Sequence, residues 1–223
     1  ETLRVLDLSR TRVSDLSPLT PLTGLQRLFA SETSISDLSP LTPMAELQTL
    51  ALRQTSVSDL SPLTPLTELQ FLHLSQTSVS NLSPLTLLTG LDFLNLSQTS
   101  VSDLSPLTPL KTLGSLLIED TNVDDLRPVR NSPLSGEIGS GLSFSGTPAT
   151  ERDAELARLA QIEDNEQRTR ETLAYLNTLP PWPEPLPWLV PEANTAETPP
   201  DAPAPDKIPT ITTGPDGLDL KHS

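Results

Sequence analysis

The same five-residue segment, Asp-Leu-Ser-Pro-Leu, or a close variant of it returns every 22 residues, beginning at Asp15, Asp37, Asp59, Asn81, Asp103 and Asp125. A fixed period between about 20 and 50 residues is typical of a solenoid, in which each unit buries its apolar face by stacking on its neighbours. The sequence therefore predicts a linear array of coils, one coil per repeat. From such an array we expect a binding surface rather than a reaction centre.

Composition agrees with an array that has only a narrow core. Of the 223 residues, 35% are apolar and 3% are aromatic, which does not favour one large globular core. The lack of cysteine excludes a disulfide scaffold, a cysteine-based zinc site and thiol catalysis, and it leaves the redox compartment open. No stretch of the sequence approaches the roughly 20 apolar residues that a membrane-spanning helix needs.

Negative charge limits the classes of partner. The chain has 29 acidic and 14 basic side chains, and its net charge is −15. Nucleic-acid binding depends on clustered Lys and Arg side chains that neutralise phosphates. We therefore expect neither nucleic acid nor an anionic membrane as a partner.

Aligned on one another, the units share the pattern Leu-x-x-Leu-x-Leu-x-x-Thr-x-Val/Ile-Ser-Asp-Leu-Ser-Pro-Leu, as in Leu69, Leu72, Leu74, Thr77, Val79, Leu82 and Leu85. This pattern resembles the leucine-rich repeats, specifically the short 22-residue class of bacterial internalin-like proteins, over about residues 1–147. The resemblance implies an α/β fold: a curved leucine-rich-repeat solenoid with short parallel strands on the concave face, 3₁₀ or extended outer arcs and a helical C-terminal cap. It also implies a role in protein recognition.

The chain departs from the leucine-rich-repeat pattern where asparagine usually stands, with Thr11, Thr33, Thr55, Thr77, Thr99 and Thr121 instead. A threonine hydroxyl still donates and accepts hydrogen bonds. We expect a buried ladder in which these hydroxyls bind the loop backbone of adjacent coils.

The residues of one unit, taken alone, predict a short strand followed by a tight turn. Leu50 and Leu52 alternate with period two, which is typical of a strand with one buried face. The apolar residues that follow recur every three positions and so favour a 3₁₀ turn over an α-helix: Val57, Leu60, Leu63 and Leu66. We expect Ser61 to cap that turn and Pro62 to take its first position. Pro65 lacks the backbone donor that a continuing α-helix would use.

A degenerate seventh unit and a helical cap are predicted to end the array. Leu142, Phe144 and Thr147 repeat the Leu-x-Leu-x-x-Thr spacing after an insertion around residues 136–141. For residues 148–179 we favour a hairpin of two short helices over one long rod, because two capping signals occur there, Thr150 with Asp153 and Asp164 with Gln167. The cap is needed because an open terminal coil exposes core leucines to water.

The remaining residues are rich in proline. Residues 180–215 hold 12 of the 24 prolines and predict an extended or disordered linker, and residues 216–223 form a tail or the start of a further domain. We favour Trp182 and Trp188 folding back on the helical cap, with a polyproline ligand for another domain as the alternative. Because Glu1 already lies inside a repeat, we expect the chain to be a fragment of a larger multidomain protein.

Positions that vary from unit to unit are the candidates for recognition, because the outer-arc residues are nearly identical. Three outward-facing columns of the strand region vary, and one of them reads Asp7, Phe29, Ala51, His73, Asn95 and Leu117. Three of the four phenylalanines stand in these columns, and exposed aromatics on a concave face are typical of protein-binding hot spots. The alternative is that they only favour strands and pack on each other. The predicted partner-binding residues are Phe29, Phe71, Phe93, His73, Asn95, Arg27 and Arg53.

Other polar groups favour structural roles. Each aspartate of the repeated segment is expected to accept a hydrogen bond from a backbone donor such as that of Ser17, with calcium binding as the alternative. His73 and the serines near it lack an oxyanion-holding glycine turn. The glycine-rich segment 136–141 lacks the lysine and the helix of a phosphate loop. We expect no catalytic activity, no metal and no cofactor.

The sequence thus predicts a module that binds a protein or peptide ligand through its concave sheet. One alternative is a structural spacer, and another is a regulatory sensor segment of a multidomain enzyme or signalling protein. An exposed aromatic patch favours recognition over the spacer, because a spacer has no reason to keep aromatic side chains exposed.

Overall fold

A computed structural model describes residues 3–135 and 141–181. Over these residues the chain forms a single sheet of seven parallel strands in chain order: β1 (Val5–Asp7), β2 (Arg27–Phe29), β3 (Thr49–Ala51), β4 (Phe71–His73), β5 (Phe93–Asn95), β6 (Ser115–Leu117) and β7 (Leu142–Ser143). The outer arcs between consecutive strands carry 3₁₀ turns at Ser17–Leu19, Ser39–Leu41, Ser61–Leu63, Ser83–Leu87, Ser105–Leu107 and Arg127–Val129. The predicted curved solenoid of short parallel strands and 3₁₀ turns is confirmed.

Strand pairing follows the sequence period. Val5 pairs with Arg27 and Leu50 pairs with Leu72, so each strand is offset by one repeat from the next. The last pair joins Leu116 to Leu142. Its offset is longer than one repeat because the predicted insertion lies between the two strands. Because the offset equals the repeat, each position of the repeat forms a straight column across the sheet.

The core is a narrow stack of leucines between the sheet and the outer arcs. The central residue of each strand from β2 to β6 is fully buried, namely Leu28, Leu50, Leu72, Leu94 and Leu116. Burying one such side chain stabilises the folded state by about 1.5–3 kcal/mol. The two outward residues of β3 and of β4 stay half-exposed, which leaves them available for other contacts.

The 3₁₀ turns form as predicted, but their capping differs from the prediction. Ser61 is the first residue of its turn and Pro62 the second, so Leu60 holds the N-cap position. The Ser61 amide donates to Asp59 Oδ1 over 2.8 Å. Hydrogen bonds from the Ser61 hydroxyl and amide lower the pKa of Asp59. The backbone-accepting role predicted for the aspartate row is confirmed, with equivalent bonds at Asp15, Asp37, Asp103 and Asp125.

One turn is longer than the others. Leu87 stands where four of the other coils have a proline such as Pro65, and its turn runs over five residues, Ser83–Leu87, instead of three. A proline has no N–H to donate the next helical hydrogen bond. The proline therefore favours an early end of the turn in the four coils that have it, although the turn of the sixth coil is equally short with Asn131 at this position.

The threonine ladder was predicted wrongly. The Thr77 hydroxyl donates to the carbonyl of Leu74 in its own coil over 2.7 Å, and not to an adjacent coil. The hydroxyl oxygen is attached directly to Cβ, so its reach is limited to the local backbone. The ladder is also not buried throughout, because Thr11 is exposed. Equivalent bonds of 2.6 to 2.9 Å occur at Thr11, Thr33, Thr55, Thr99, Thr121 and Thr147.

Within residues 141–181, three helices follow β7, where the sequence predicted two: α1 (Pro148–Arg152), α2 (Ala154–Ala160) and α3 (Asn165–Leu176). The first begins after Thr147, and not at Thr150. Asp153 has an extended backbone, which ends α1, and its side chain caps α2 by accepting from two backbone amides. Asp164 caps α3 by accepting from the Gln167 amide over 2.6 Å, as predicted.

Helix α3 closes the edge of the sheet. The Leu142 amide donates to Thr169 Oγ1 over 2.9 Å, and Arg168 Nε donates to the Leu142 carbonyl over 2.9 Å. The carbonyls of Gly141 and Ser143 accept from the amides of Leu116 and Ile118 and so face the other way. The backbone groups of Leu142 would otherwise remain open to pairing with a further strand. Side chains of α3 thus replace an eighth strand.

Several predictions concern residues that the structure does not describe. These are the glycine-rich insertion at 136–140, nearly all of the proline-rich linker, Trp182, Trp188 and the tail at 216–223. The division into domains stays a prediction. Within residues 3–135 and 141–181, no helix is long and apolar enough to cross a membrane.

We predict that Thr77→Val destabilises the solenoid by about 1–2 kcal/mol, because valine keeps the shape but removes the donor to a buried carbonyl. Thr11→Val is the matched control and should stay within about 0.5 kcal/mol of the parent, because Thr11 is exposed to water. The measurement is the free energy of unfolding in urea. Equal losses for the two variants would contradict the assignment of these bonds.

Candidate functional site

Two adjoining depressions lie on the concave face. The first, which we call the apolar depression, has a volume of about 560 Å³, and its lining includes Arg27, Phe29, Phe71, His73 and Phe93. The second, the polar depression, has a volume of about 290 Å³, and its lining includes Arg53, His73, Asn95, Ser97 and Glu119. His73 lines both. All seven residues that the sequence singled out for partner binding therefore lie on one continuous surface.

The apolar depression exists because β3 has small outward side chains. Ala51 pairs with Phe29 on one side and with His73 on the other, and Thr49 lies between the longer Arg27 and Phe71. The smaller side chains form the floor, and their larger neighbours form the walls. The site thus arises from a difference in side-chain volume between successive coils, with no break in the backbone ladder.

The wall on the β4 and β5 side is aromatic. Phe71 and Phe93 are direct cross-strand partners, as predicted, with ring centroids 6.4 Å apart and planes inclined by 29°. His73 lies 6.2 Å from the Phe93 ring. Such ring pairs stabilise by about 0.5–1.5 kcal/mol and leave each ring half-buried. Phe29 forms the opposite wall and has no ring contact in the described part of the chain.

A chain of hydrogen bonds fixes the orientation of His73. The Ser97 amide donates to Asn95 Oδ1 over 2.9 Å, which directs the Asn95 amide nitrogen toward His73 Nε2 at 3.3 Å. An amide nitrogen only donates, so Nε2 accepts and the ring proton lies on Nδ1, 3.4 Å from Ser75 Oγ. Nδ1 therefore donates toward Ser75 and is not placed to act as a base that activates this serine. The arrangement supports binding and does not resemble an activated nucleophile.

The environment keeps the His73 ring neutral. Burial and the positive charge of Arg53 lower the pKa of His73. Protonation of Nε2 would also make it a donor, and it would then face the Asn95 amide nitrogen, which is a donor as well. His73 therefore contributes an uncharged ring between the two depressions.

Two cations at the depressions have no carboxylate partner. Arg27 is exposed, and its side chain has no hydrogen bond or ion pair within residues 3–135 and 141–181. Arg53 donates only from Nε, to Gln76 Oε1 at 3.3 Å, so both of its terminal amino groups are without a partner in the same ranges. Arginines elsewhere in the chain, such as Arg10 and Arg127, form ion pairs.

Comparison with known proteins places this surface on a known scaffold. No protein-family model and no curated protein matches the chain. Two solved Listeria monocytogenes structures are similar, each with a TM-score of 0.61: internalin InlF at 29% identity over 65% of this chain, and internalin C2 at 30% over 66%. A leucine-rich-repeat protein of Leptospira interrogans shares the fold, with a TM-score of 0.60 and 19% identity over 78% of this chain.

The chain is an internalin-like leucine-rich-repeat protein. It spans 42% of the InlF chain, 63% of the internalin C2 chain and 42% of the Leptospira chain. The similarity thus confirms the bacterial class of repeat, and it agrees with a general role in protein interaction.

Sequence reasoning missed several residues that this internalin-like protein uses to shape the depressions. Gln48 and Gln70 line the apolar depression from the position just before the strand. Gln76 and Gln98 line the polar depression from backbone with φ of 58° and 59°, a left-handed conformation. Alternation along an extended strand does not predict where such residues point. One sequence signal could have identified these glutamines: the same residue recurs at the same position of successive repeats.

We predict that His73 titrates below its ordinary pKa of 6.5 in the folded chain. The measurement is an NMR titration of the imidazoles, with His222, the only other histidine, assigned through His222→Gln. A His73 pKa at or above 6.5 would contradict the hydrogen-bond chain described above.

The same shift predicts how stability depends on pH. Above pH 6.5 the ring is neutral in both the folded and the unfolded chain, so it has no effect. Below pH 6.5 the unfolded chain binds the proton first, so the folded chain loses stability until the pH reaches the folded pKa. His73→Gln should therefore lose less stability than the parent between about pH 7.5 and 5. The check is urea denaturation at both pH values, and an equal loss in the two proteins would contradict it.

Proposed function

We propose that this chain is a protein-recognition module, part of a larger protein, that binds an extended protein or peptide segment in the apolar depression of its concave face. The observation that supports this most directly is the pair of aromatic walls, Phe29 opposite Phe71 and Phe93, above the small floor of Thr49 and Ala51. A partner side chain seated on that floor would cover apolar surface on both walls.

Burial of this surface supplies a driving force for binding. Removing apolar area from water stabilises a complex by about 25 cal/mol per Å². The wall residues are half-buried, so part of each ring is still available to a partner. Strand backbone and cross-strand ring contacts already hold Phe71 and Phe93 in place, so binding costs little ordering entropy.

The dimensions suit an extended segment. Strands β2 to β5 line the apolar depression, and their three spacings cover roughly 14 Å, about the length of four extended residues. The polar depression continues the surface beyond His73, which gives polar groups of the same segment a place to bind. A structural spacer would account for the near-identical outer arcs, but not for the aromatic walls.

We predict that Ala51→Phe removes binding, because the added ring fills the depression while the core behind it is unchanged. The probe is a random twelve-residue peptide display library selected on the parent chain. Selected peptides should bind Ala51→Phe at least about tenfold more weakly, a loss of 1.4 kcal/mol or more.

The matched control is the same substitution in the turn before β3, Ala45→Phe, since Ala45 is exposed and lines neither depression. Its affinity for the selected peptides should equal that of the parent. Peptides that bind Ala51→Phe as well as they bind the parent use another surface, and a library dominated by such peptides would refute the proposal.

The double variant Phe71→Ala with Phe93→Ala tests the aromatic wall. We predict that it abolishes binding of the selected peptides while leaving the fold intact, because both rings point away from the leucine core. Calorimetry gives the affinity, and circular dichroism gives the fold. Unchanged affinity in a folded double variant would exclude these rings from the binding surface.

A further inference from the structure

We infer that the segment recognised by this surface is acidic: a bulky apolar side chain in the apolar depression, flanked by carboxylates that pair with Arg27 and Arg53. This inference rests on the proposed function, because it names the chemistry of the partner at the same surface. Four observations support it: two unpaired cations, their position, the placement of the acidic side chains and an unpartnered hydroxyl.

The two guanidinium groups are distinguished by their place, because both line the depressions. Carboxylates outnumber cations, 29 to 14, yet other exposed arginines such as Arg4 and Arg12 also form no ion pair within residues 3–135 and 141–181. Ion pairs of 2.7 to 3.3 Å join Arg10 to Glu32, Arg127 to Asp125, Arg152 to Asp124 and Arg158 to Glu155. Arg27 and Arg53 form no such pair, although both line the depressions. A carboxylate of the partner would supply the missing ion pair at each arginine.

Their positions bracket the floor of the apolar depression. Arg27 belongs to the first outward column, Ala51 to the second and Arg53 to the third, so the two cations stand on opposite sides of the column that contains Ala51. An apolar side chain seated over Ala51 thus has a guanidinium on each side. Arginine binds carboxylates through paired, charge-assisted hydrogen bonds, which favour this geometry.

Most acidic groups in the described part of the chain lie away from the depressions; the exceptions on this face are Asp7, next to Phe29, and Glu119. The aspartate row lies on the outer arcs, across the leucine core, and charges there are screened over a Debye length of about 8 Å at physiological salt. Glu119 lines the polar depression, but it accepts a hydrogen bond from Ser143 Oγ and attracts the nearby Arg168. Its charge is therefore compensated within the fold.

An unpartnered hydroxyl points to the same kind of ligand. Ser97 lines the polar depression and is only 9% exposed, and its Oγ has no hydrogen-bond partner in the described part of the chain. A buried donor without an acceptor is costly. Because this oxygen is closed to solvent, the Ser97 side chain would have to rotate toward the polar depression before a carbonyl or carboxylate oxygen of a bound segment could accept from it.

The test compares each selected display peptide with a twin in which every Asp and Glu is replaced by Asn and Gln. The acidic peptide should bind the parent chain at least about tenfold more tightly than its twin, and the difference should shrink as salt is added. Arg27→Gln and Arg53→Gln should each reduce the affinity for the acidic peptide toward that for the twin. Arg12→Gln is the matched control, because Arg12 is exposed and lines neither depression.

A spectroscopic readout separates charge pairing from a general loss of contacts. A carboxylate bound beside Arg53 brings negative charge near His73, so the acidic peptide should raise the His73 pKa and the amide twin should not. Peptides that are sensitive to Ala51→Phe but show no preference for Asp or Glu and no dependence on either arginine would overturn this inference while the proposed function stands. Selected peptides that are all insensitive to Ala51→Phe would overturn both.

Discussion

The backbone ladder between neighbouring coils is the interaction on which the rest of the structure depends. Leu52 N donates to the His73 carbonyl and Leu74 N to the Asn95 carbonyl, each over 2.8 Å, and the same bond recurs from coil to coil. Because paired residues of neighbouring strands are one 22-residue repeat apart, the residues at each position of the repeat form a column across the sheet. Leucine columns form the core, and the outward columns are free to vary. A slip of one residue would exchange the two sets.

In the proposed function, recognition depends on the differences between coils that otherwise share one backbone. The outer arcs carry nearly the same residues each time and hold their 3₁₀ turns through the aspartate and proline of each repeat. The concave face has no such uniformity. A small residue at Ala51, between the larger Phe29 and His73, creates a depression in a sheet that is continuous on either side. If the proposed function holds, a change of side-chain volume in one coil would change the ligand and leave the scaffold unchanged.

Periodicity made part of this structure predictable and left other parts out of reach. The pairing of Phe71 with Phe93 followed from the repeat alone, because the register equals the period. The bond of Thr77 to its own coil did not, because it depends on the reach of a single side-chain atom. The role of α3 was equally hidden: Arg168 and Thr169 satisfy Leu142 through contacts distant in sequence. The left-handed backbone that carries Gln76 and Gln98 has no signal in an alternating pattern.

The phenylalanines of this chain offer the most direct measurement of where it binds. There are four, three lining the apolar depression, at Phe29, Phe71 and Phe93, and one, Phe144, fully buried in the core. In a chain labelled with 4-fluorophenylalanine, addition of a selected peptide should shift the ¹⁹F resonances of the first three and leave that of Phe144 in place. A peptide that binds while all four resonances stay unchanged would contradict recognition through the concave face.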